Sequence, residues 1–245
     1  MQLIEANPGV PIRSNEEMVL RITARASFPD PVNFNVKAPR RHRARATSTG
    51  QKFGKGGRHL SSRAGYGLVH FESSLERGYI EAFDTSRHVA WYQEQPIEIP
   101  YTYLGREASY FPDMMVGLID GRAVLIEFKG LKHFCYVNTF RKAIVGRRKA
   151  FSEGWGYALL YEDGGSIIDL LGRKLPNSTV NLKIIMDSFG HINRSEFFRE
   201  IRSADEKFSL KDIAALCIQN DFFIETSPWR ITKIPNNYTW KMFLP

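Results

Sequence analysis

The pattern of apolar and polar positions becomes regular near Phe71. In SSLERGYIEAF, Leu75, Tyr79, Ile80 and Phe83 recur at helical spacing behind Ser73, a residue suited to cap a helix. This predicts an amphipathic helix over about 74–84. Alternating segments follow at 96–104 and 110–119, then an apolar run at 123–129, with Leu104-Gly105 and Asp120-Gly121 as turn signals between them. Three strands in a meander are expected. After His133, TFRKAIVGRRKAFSEG carries Phe140, Ile144 and Phe151 at helical spacing, and WGYALLY at 155–161 reads as a further strand. The order αβββαβ predicts a mixed α/β core. Beyond Pro176, helical stretches near 179–189, 194–202 and 209–219 precede FFIETSPWRITKI, a hairpin pattern. That order of elements resembles a winged helix, with Ser209-x-x-Asp212 capping its third helix.

Composition agrees with a globular chain. Of 245 residues, 43% are hydrophobic and 24% charged, enough apolar mass for a sizeable core. No run approaches the length of a membrane helix, and MQLIEANPGVPIR lacks the order of a signal peptide, so a cytoplasmic protein with no membrane partner is expected. Cys135 and Cys217 form no metal or disulfide spacing and read as buried thiols. None of the six histidines shows ligand spacing.

The formal charge of +8 has a local origin. Between Asp30 and Glu72 there is no acidic residue, yet Lys37, Arg40, Arg41, Arg43, Arg45, Lys52, Lys55, Arg58 and Arg63 all fall there; without them the two signs nearly cancel. The segment VKAPRRHRARATSTGQKFGKGGRH has few apolar residues to fold around and is expected to be a mobile arm contacting DNA phosphates. Lys132, Arg147, Arg148 and Lys149 are further candidates for the DNA backbone. Gly50 to Gly56 is one residue short of a phosphate-binding loop and has Gly where Ser or Thr is needed, which excludes an NTPase reading.

The chemical signal is Pro112-Asp113 followed by Glu127-Phe128-Lys129. Two carboxylates on neighbouring strands suit Mg²⁺ or Mn²⁺, and a lysine two residues along the same strand points to the same face. Phosphodiester hydrolysis is the chemistry this arrangement implies. If the hairpin loop is Ile119-Asp120-Gly121 with Gly121 left-handed, Asp113 lies opposite Glu127; a two-residue Asp120-Gly121 turn would send it to the apolar side. Glu76 completes a capping box with Ser73, yet it falls inside the apolar arc of its helix, where a carboxylate calls for a cation. We read it as a third metal ligand.

Together, SSLERGYIEAFD, WYQEQPIEIPY, YFPDMMV and VLIEFKG resemble the catalytic domain of TnsA, the endonuclease subunit of heteromeric cut-and-paste transposases, over about residues 60–165. The resemblance implies a restriction-endonuclease-like α/β fold and nicking of the 5′ ends of a transposon, with the partner transposase TnsB cutting and joining the 3′ ends. It matches Glu76, Asp113, Glu127 and Lys129 to the helix carboxylate, central ligand, second strand ligand and catalytic lysine. Some relatives have Gln where Glu127 stands, and a full carboxylate should strengthen metal binding. Gln95 matches the Gln-Pro signature, with a role at the site or at a strand start. Three parts follow: 1–70 with the basic arm, 71–169 with the nuclease, and a winged-helix-like unit at 170–245. In that unit KDIAALCIQN is poor in base-reading side chains, which favours a protein partner, by resemblance the AAA+ regulator TnsC. The alternatives are an autonomous nuclease of restriction or repair and a non-catalytic DNA-binding adaptor.

Overall fold

A computed structural model describes residues 14–38, 56–103, 105–203, 207–235 and 237–245. Ser14 accepts a hydrogen bond from Glu17 N and starts α1 (Asn15–Arg25), whose Val19 and Ile22 are buried. The periodicity reading assigns no element here, although Ser14-x-x-Glu17 is the signal it uses at Ser73. Strands β1 (Gly57–Leu60) and β2 (Leu68–Phe71) then pair antiparallel. Residues 57–59 are thereby corrected from arm to strand; backbone pairing with β2, rather than apolar side chains, supports them. Arg63, which follows the arm, donates from its guanidinium to Phe83 O at 3.2 Å and to Ser86 O. It thus satisfies carbonyls at the end of α2 (Ser74–Thr85), the predicted helix, which Ser73 caps.

The meander differs from expectation. After β3 (Val89–Glu94), β4 (Ile99–Tyr103) and β5 (Arg106–Tyr110) pair only with each other, around Gly105 at φ 73°. The next pair, β6 (Met114–Leu118) and β7 (Ala123–Phe128), belongs to the main sheet. The predicted strand at 96–104 is therefore not a neighbour of 110–119 in that sheet, and β3 takes its place. Two physical features explain the miss: a tight turn folds 99–110 back on itself, and a bulge between Val89 and Trp91 interrupts the alternation of β3. The chain continues through α3 (Leu131–Phe134), α4 (Val137–Ser152) and β8 (Gly156–Leu160), giving the sheet order β3-β6-β7-β8, with β7 and β8 parallel and the rest antiparallel.

β7 is buried along its whole length and sits at the centre of two layers. Its Val124, Ile126 and Phe128 face α1 and α2, where Tyr79 stacks on Phe128 at 4.2 Å. Ala123 and Leu125 point the other way, toward Ala143 and Ala150 of α4. Each large apolar side chain buried here contributes about 1.5–3 kcal/mol.

After α5 (Ile167–Leu171) come α6 (Thr179–Phe189), β9 (His191–Asn193), α7 (Arg194–Ser203), α8 (Leu210–Gln219), β10 (Phe222–Thr226) and β11 (Trp229–Lys233). The three predicted helices and the hairpin are present, and β9 adds a third strand in the order β10-β11-β9. Ser209 and Asp212 form the expected capping box. The core on the α4 side runs unbroken into this unit, with Trp240 against Phe140 at 4.6 Å. Here Cys135 and Cys217 are both buried and free, and Cys135 Sγ donates to Ala214 O at 3.6 Å. Among the described residues, the whole is a mixed α/β fold of several small sheets and eight α-helices, none long and apolar enough to cross a membrane.

Candidate active site

The loop joining β6 to β7 is Ile119-Asp120-Gly121. Gly121 N donates to Leu118 O at 3.0 Å, Leu118 N donates to Arg122 O at 2.8 Å, and Gly121 has φ 90°. This is the three-residue turn with a left-handed glycine. The register it sets pairs Met114 with Ile126, so one step further out Asp113 stands opposite Glu127. A two-residue turn would have moved every side chain of one strand to the other face.

Asp113 Oδ2 accepts from Phe128 N at 2.7 Å and lies 3.8 Å from Lys129 Nζ. Glu127 is 1% exposed; its Oε1 is 2.5 Å from Lys129 Nζ, and its Oε2 accepts from the Tyr110 hydroxyl at 2.8 Å. Lys129 N donates to Leu160 O at 2.9 Å, continuing the β7–β8 ladder so that the ammonium stays on the carboxylate face. One cation therefore serves two acids, Glu127 buried and Asp113 partly so. Burial first, and then the Glu127 charge, push the Asp113 carboxyl well above the usual range, against the opposing pull of Lys129. For Lys129, burial works to lower its pKa, but Asp113 and Glu127 outweigh it and hold the ammonium above its ordinary value.

Glu76 is the third residue of α2, whose N-cap is Ser73. Its Oε1 accepts from the Ser73 hydroxyl at 2.8 Å and its Oε2 from Glu72 N at 2.9 Å. Burial raises its pKa, and its charge reaches both Lys129 and Asp113. Serving as a ligand would require it to leave these donors. Among the described residues, no three His, Cys, Asp or Glu side chains are already gathered as a metal-binding group. The donor chemistry nevertheless fits a hard divalent cation: Asp113 and Glu127 supply carboxylate oxygens, and their excess negative charge is what a cation would relieve.

Gln95 lies at the edge of this cluster. Its N–H donates to Asp113 O at 3.0 Å, its φ is 39°, and its side-chain Oε1 is buried without a partner. A left-handed, non-glycine residue beside an acidic pair is locally strained. Tyr110 is the residue that the sequence reading misses, because helix and strand periodicity give a buried tyrosine and a core phenylalanine the same weight.

Of the basic candidates, Arg40, Arg41, Arg43, Arg45, Lys52 and Lys55 lie outside the described residues. Arg58 is exposed on β1, Lys132 on α3 and Arg148 on α4. Arg147 instead stacks over the Phe151 ring at 3.9 Å, and Lys149 pairs with Glu153. Of the candidates Arg147, Arg148 and Lys149, two are thus engaged by residues of α4 or its C-cap.

Neither protein-family models nor curated proteins give a match to this chain.

Proposed function

We propose that this chain is a metal-dependent DNA endonuclease of the restriction-endonuclease-like kind, which cuts the 5′ ends of a transposon together with a partner transposase. The observation that carries the reading is the opposition of Asp113 and Glu127 across a hairpin, with Lys129 Nζ 2.5 Å from one and 3.8 Å from the other. Asp113 and Glu127 would hold Mg²⁺ or Mn²⁺, and Glu76 would join them if released from its cap. When bound, the cation would supply Lewis acidity to the phosphodiester and lower the pKa of water. Asp113 is anchored by Phe128 N, so its second oxygen is free to turn outward. Lys129 is drawn from Glu127 toward the phosphate, where its positive charge offsets the charge that develops on the phosphoryl oxygens.

The division of labour with a TnsB-type transposase rests on the motif resemblance. We read the C-terminal unit of this chain as winged-helix-like, a reading supported by its three helices and three strands, but α8, where a reading helix would lie, is buried against α3 and α5. A helix packed in that way cannot enter a DNA groove. On α6, Val180 and Ile184 are exposed one helical turn apart, which suits a protein partner such as a TnsC-type regulator.

The test is strand-specific cleavage at transposon ends with the partner transposase and Mg²⁺. Wild type should cut both strands, whereas Asp113→Ala should leave only 3′ breaks. Equal 5′ cleavage by the two proteins would sink the nuclease reading; robust cutting of plain DNA by this chain alone would favour an autonomous enzyme.

A further inference from the structure

We propose that Tyr110 is a positioning residue for the cation-binding carboxylates: it acts through Glu127 and is seated by Gly146 and Tyr157. The proposal rests on the nuclease reading above and adds a residue to that site.

Tyr110 closes β5 three residues before Asp113, so one stretch of chain delivers both the phenol and the aspartate. Its hydroxyl holds Glu127 Oε2 at 2.8 Å while Lys129 holds Oε1 at 2.5 Å. The two oxygens of a carboxylate with almost no solvent contact are thereby fixed from two sides. Removal of the phenolic hydroxyl would leave one oxygen of a buried anion without its donor and free the group to rotate about its bond to Lys129.

The phenol itself is held in place by the packing around it. Gly146 lies on α4 beneath two tyrosine rings, where a Cβ would stand 2.7 Å from Tyr157 Cε2 and 3.0 Å from Tyr110 Cε1. Only glycine leaves room for both rings at that point. On the outer side, Lys142 Nζ lies over the Tyr110 ring at 5.7 Å. Tyr157 is 1% exposed, and its buried hydroxyl lies beside that of Tyr110, where it can serve the phenol oxygen when Glu127 turns toward a cation.

The experiment compares full-length wild type, Tyr110→Phe, Gly146→Ala and Glu127→Gln for Mn²⁺ binding by titration calorimetry, with thermal unfolding of the metal-free proteins alongside. Tyr110→Phe keeps the ring; it is expected to lower the melting temperature of the metal-free protein modestly, because it strands one oxygen of a buried carboxylate, and to weaken Mn²⁺ binding by about tenfold, the scale of one hydrogen bond to a charged group. Gly146→Ala is expected to weaken binding in the same direction by displacing the phenol. Adding Tyr110→Phe to Glu127→Gln should have no further effect, because the hydroxyl acts through that carboxylate. Wild-type affinity in Tyr110→Phe, or full additivity in the double variant, would overturn the proposal. Asp113→Ala separates the two claims: if it binds Mn²⁺ as wild type does, the nuclease reading fails, whereas if it loses binding and Tyr110→Phe does not, the positioning role alone fails.

Discussion

Arg25 closes on Asp169 with two parallel hydrogen bonds, 2.9 Å from Nε to Oδ2 and 2.6 Å from Nη2 to Oδ1. The pair joins the end of α1 to the first turn of α5, where Asp169 Oδ2 also accepts from Ser166 N at 2.8 Å. Both side chains are largely removed from water, so the fork is a fastening rather than a surface ion pair. Arg25→Ala is expected to lower unfolding stability by about 2–4 kcal/mol, because it strands a buried carboxylate. An unchanged urea midpoint would refute this. Burial works to raise the Asp169 pKa, but the Arg25 and Ser166 bonds prevail and hold it below the usual range. Its contribution is therefore present above pH ~3.9, the unfolded value, and is lost as pH falls through the lower folded value. The acid limb of the wild-type stability curve should flatten in Arg25→Ala.

Asp113 has the opposite sign. Its folded pKa is raised, chiefly by burial and then by Glu127, so the ionised form is penalised in the fold. Metal-free protein should therefore gain stability from this group as pH drops from neutrality toward ~4. Asp113→Asn should keep an acceptor for Phe128 N, raise stability at pH 7 by about 1 kcal/mol or more and abolish the gain on acidification. Denaturant titrations at pH 7 and pH 5 with a chelator present would check this; a destabilised Asn variant at pH 7 would contradict it.

Much of this site was legible because its parts report on one another. Glu127 and Lys129 in a strand with an apolar opposite face predict a charged pair on one side, and Gly121 supplies the left-handed position that makes Asp113 face it. The pairing of Glu76 with its cap is equally visible in Ser73-x-x-Glu76, although its second oxygen accepts from Glu72 N and not from the Ser73 N–H that a capping box would use. What escaped depends on contacts distant in sequence. β3 becomes a strand of the main sheet through β6, across a bulge that breaks its own pattern. Arg63 looks like one more charge in a basic stretch until α2 brings carbonyls to it. Tyr110 needs Glu127 beside it before its hydroxyl means anything.

Gly121 carries more than a turn. A Cβ at this position would stand 1.9 Å from Phe34 O, a backbone atom, in addition to the strain of φ 90°. Gly121→Ala is therefore expected to cost about 1–3 kcal/mol. Because the same loop sets the register that opposes Asp113 to Glu127, metal affinity should fall together with stability. A variant that melts earlier yet binds Mn²⁺ as wild type does would separate turn from site and contradict the coupling.

The two arginines that flank the described end of the basic stretch should behave differently. Arg58 is exposed on β1, so Arg58→Ala should weaken DNA binding across all sequences and reduce the salt slope by about 1, with melting unchanged. Arg63 donates to Phe83 O and Ser86 O, so Arg63→Ala should cost about 1–2 kcal/mol of stability and leave the salt slope alone. Binding isotherms at several salt concentrations, paired with urea melts, distinguish the two. If Arg63→Ala instead lowered the salt slope without touching stability, its place would be on the DNA backbone and not at the end of α2.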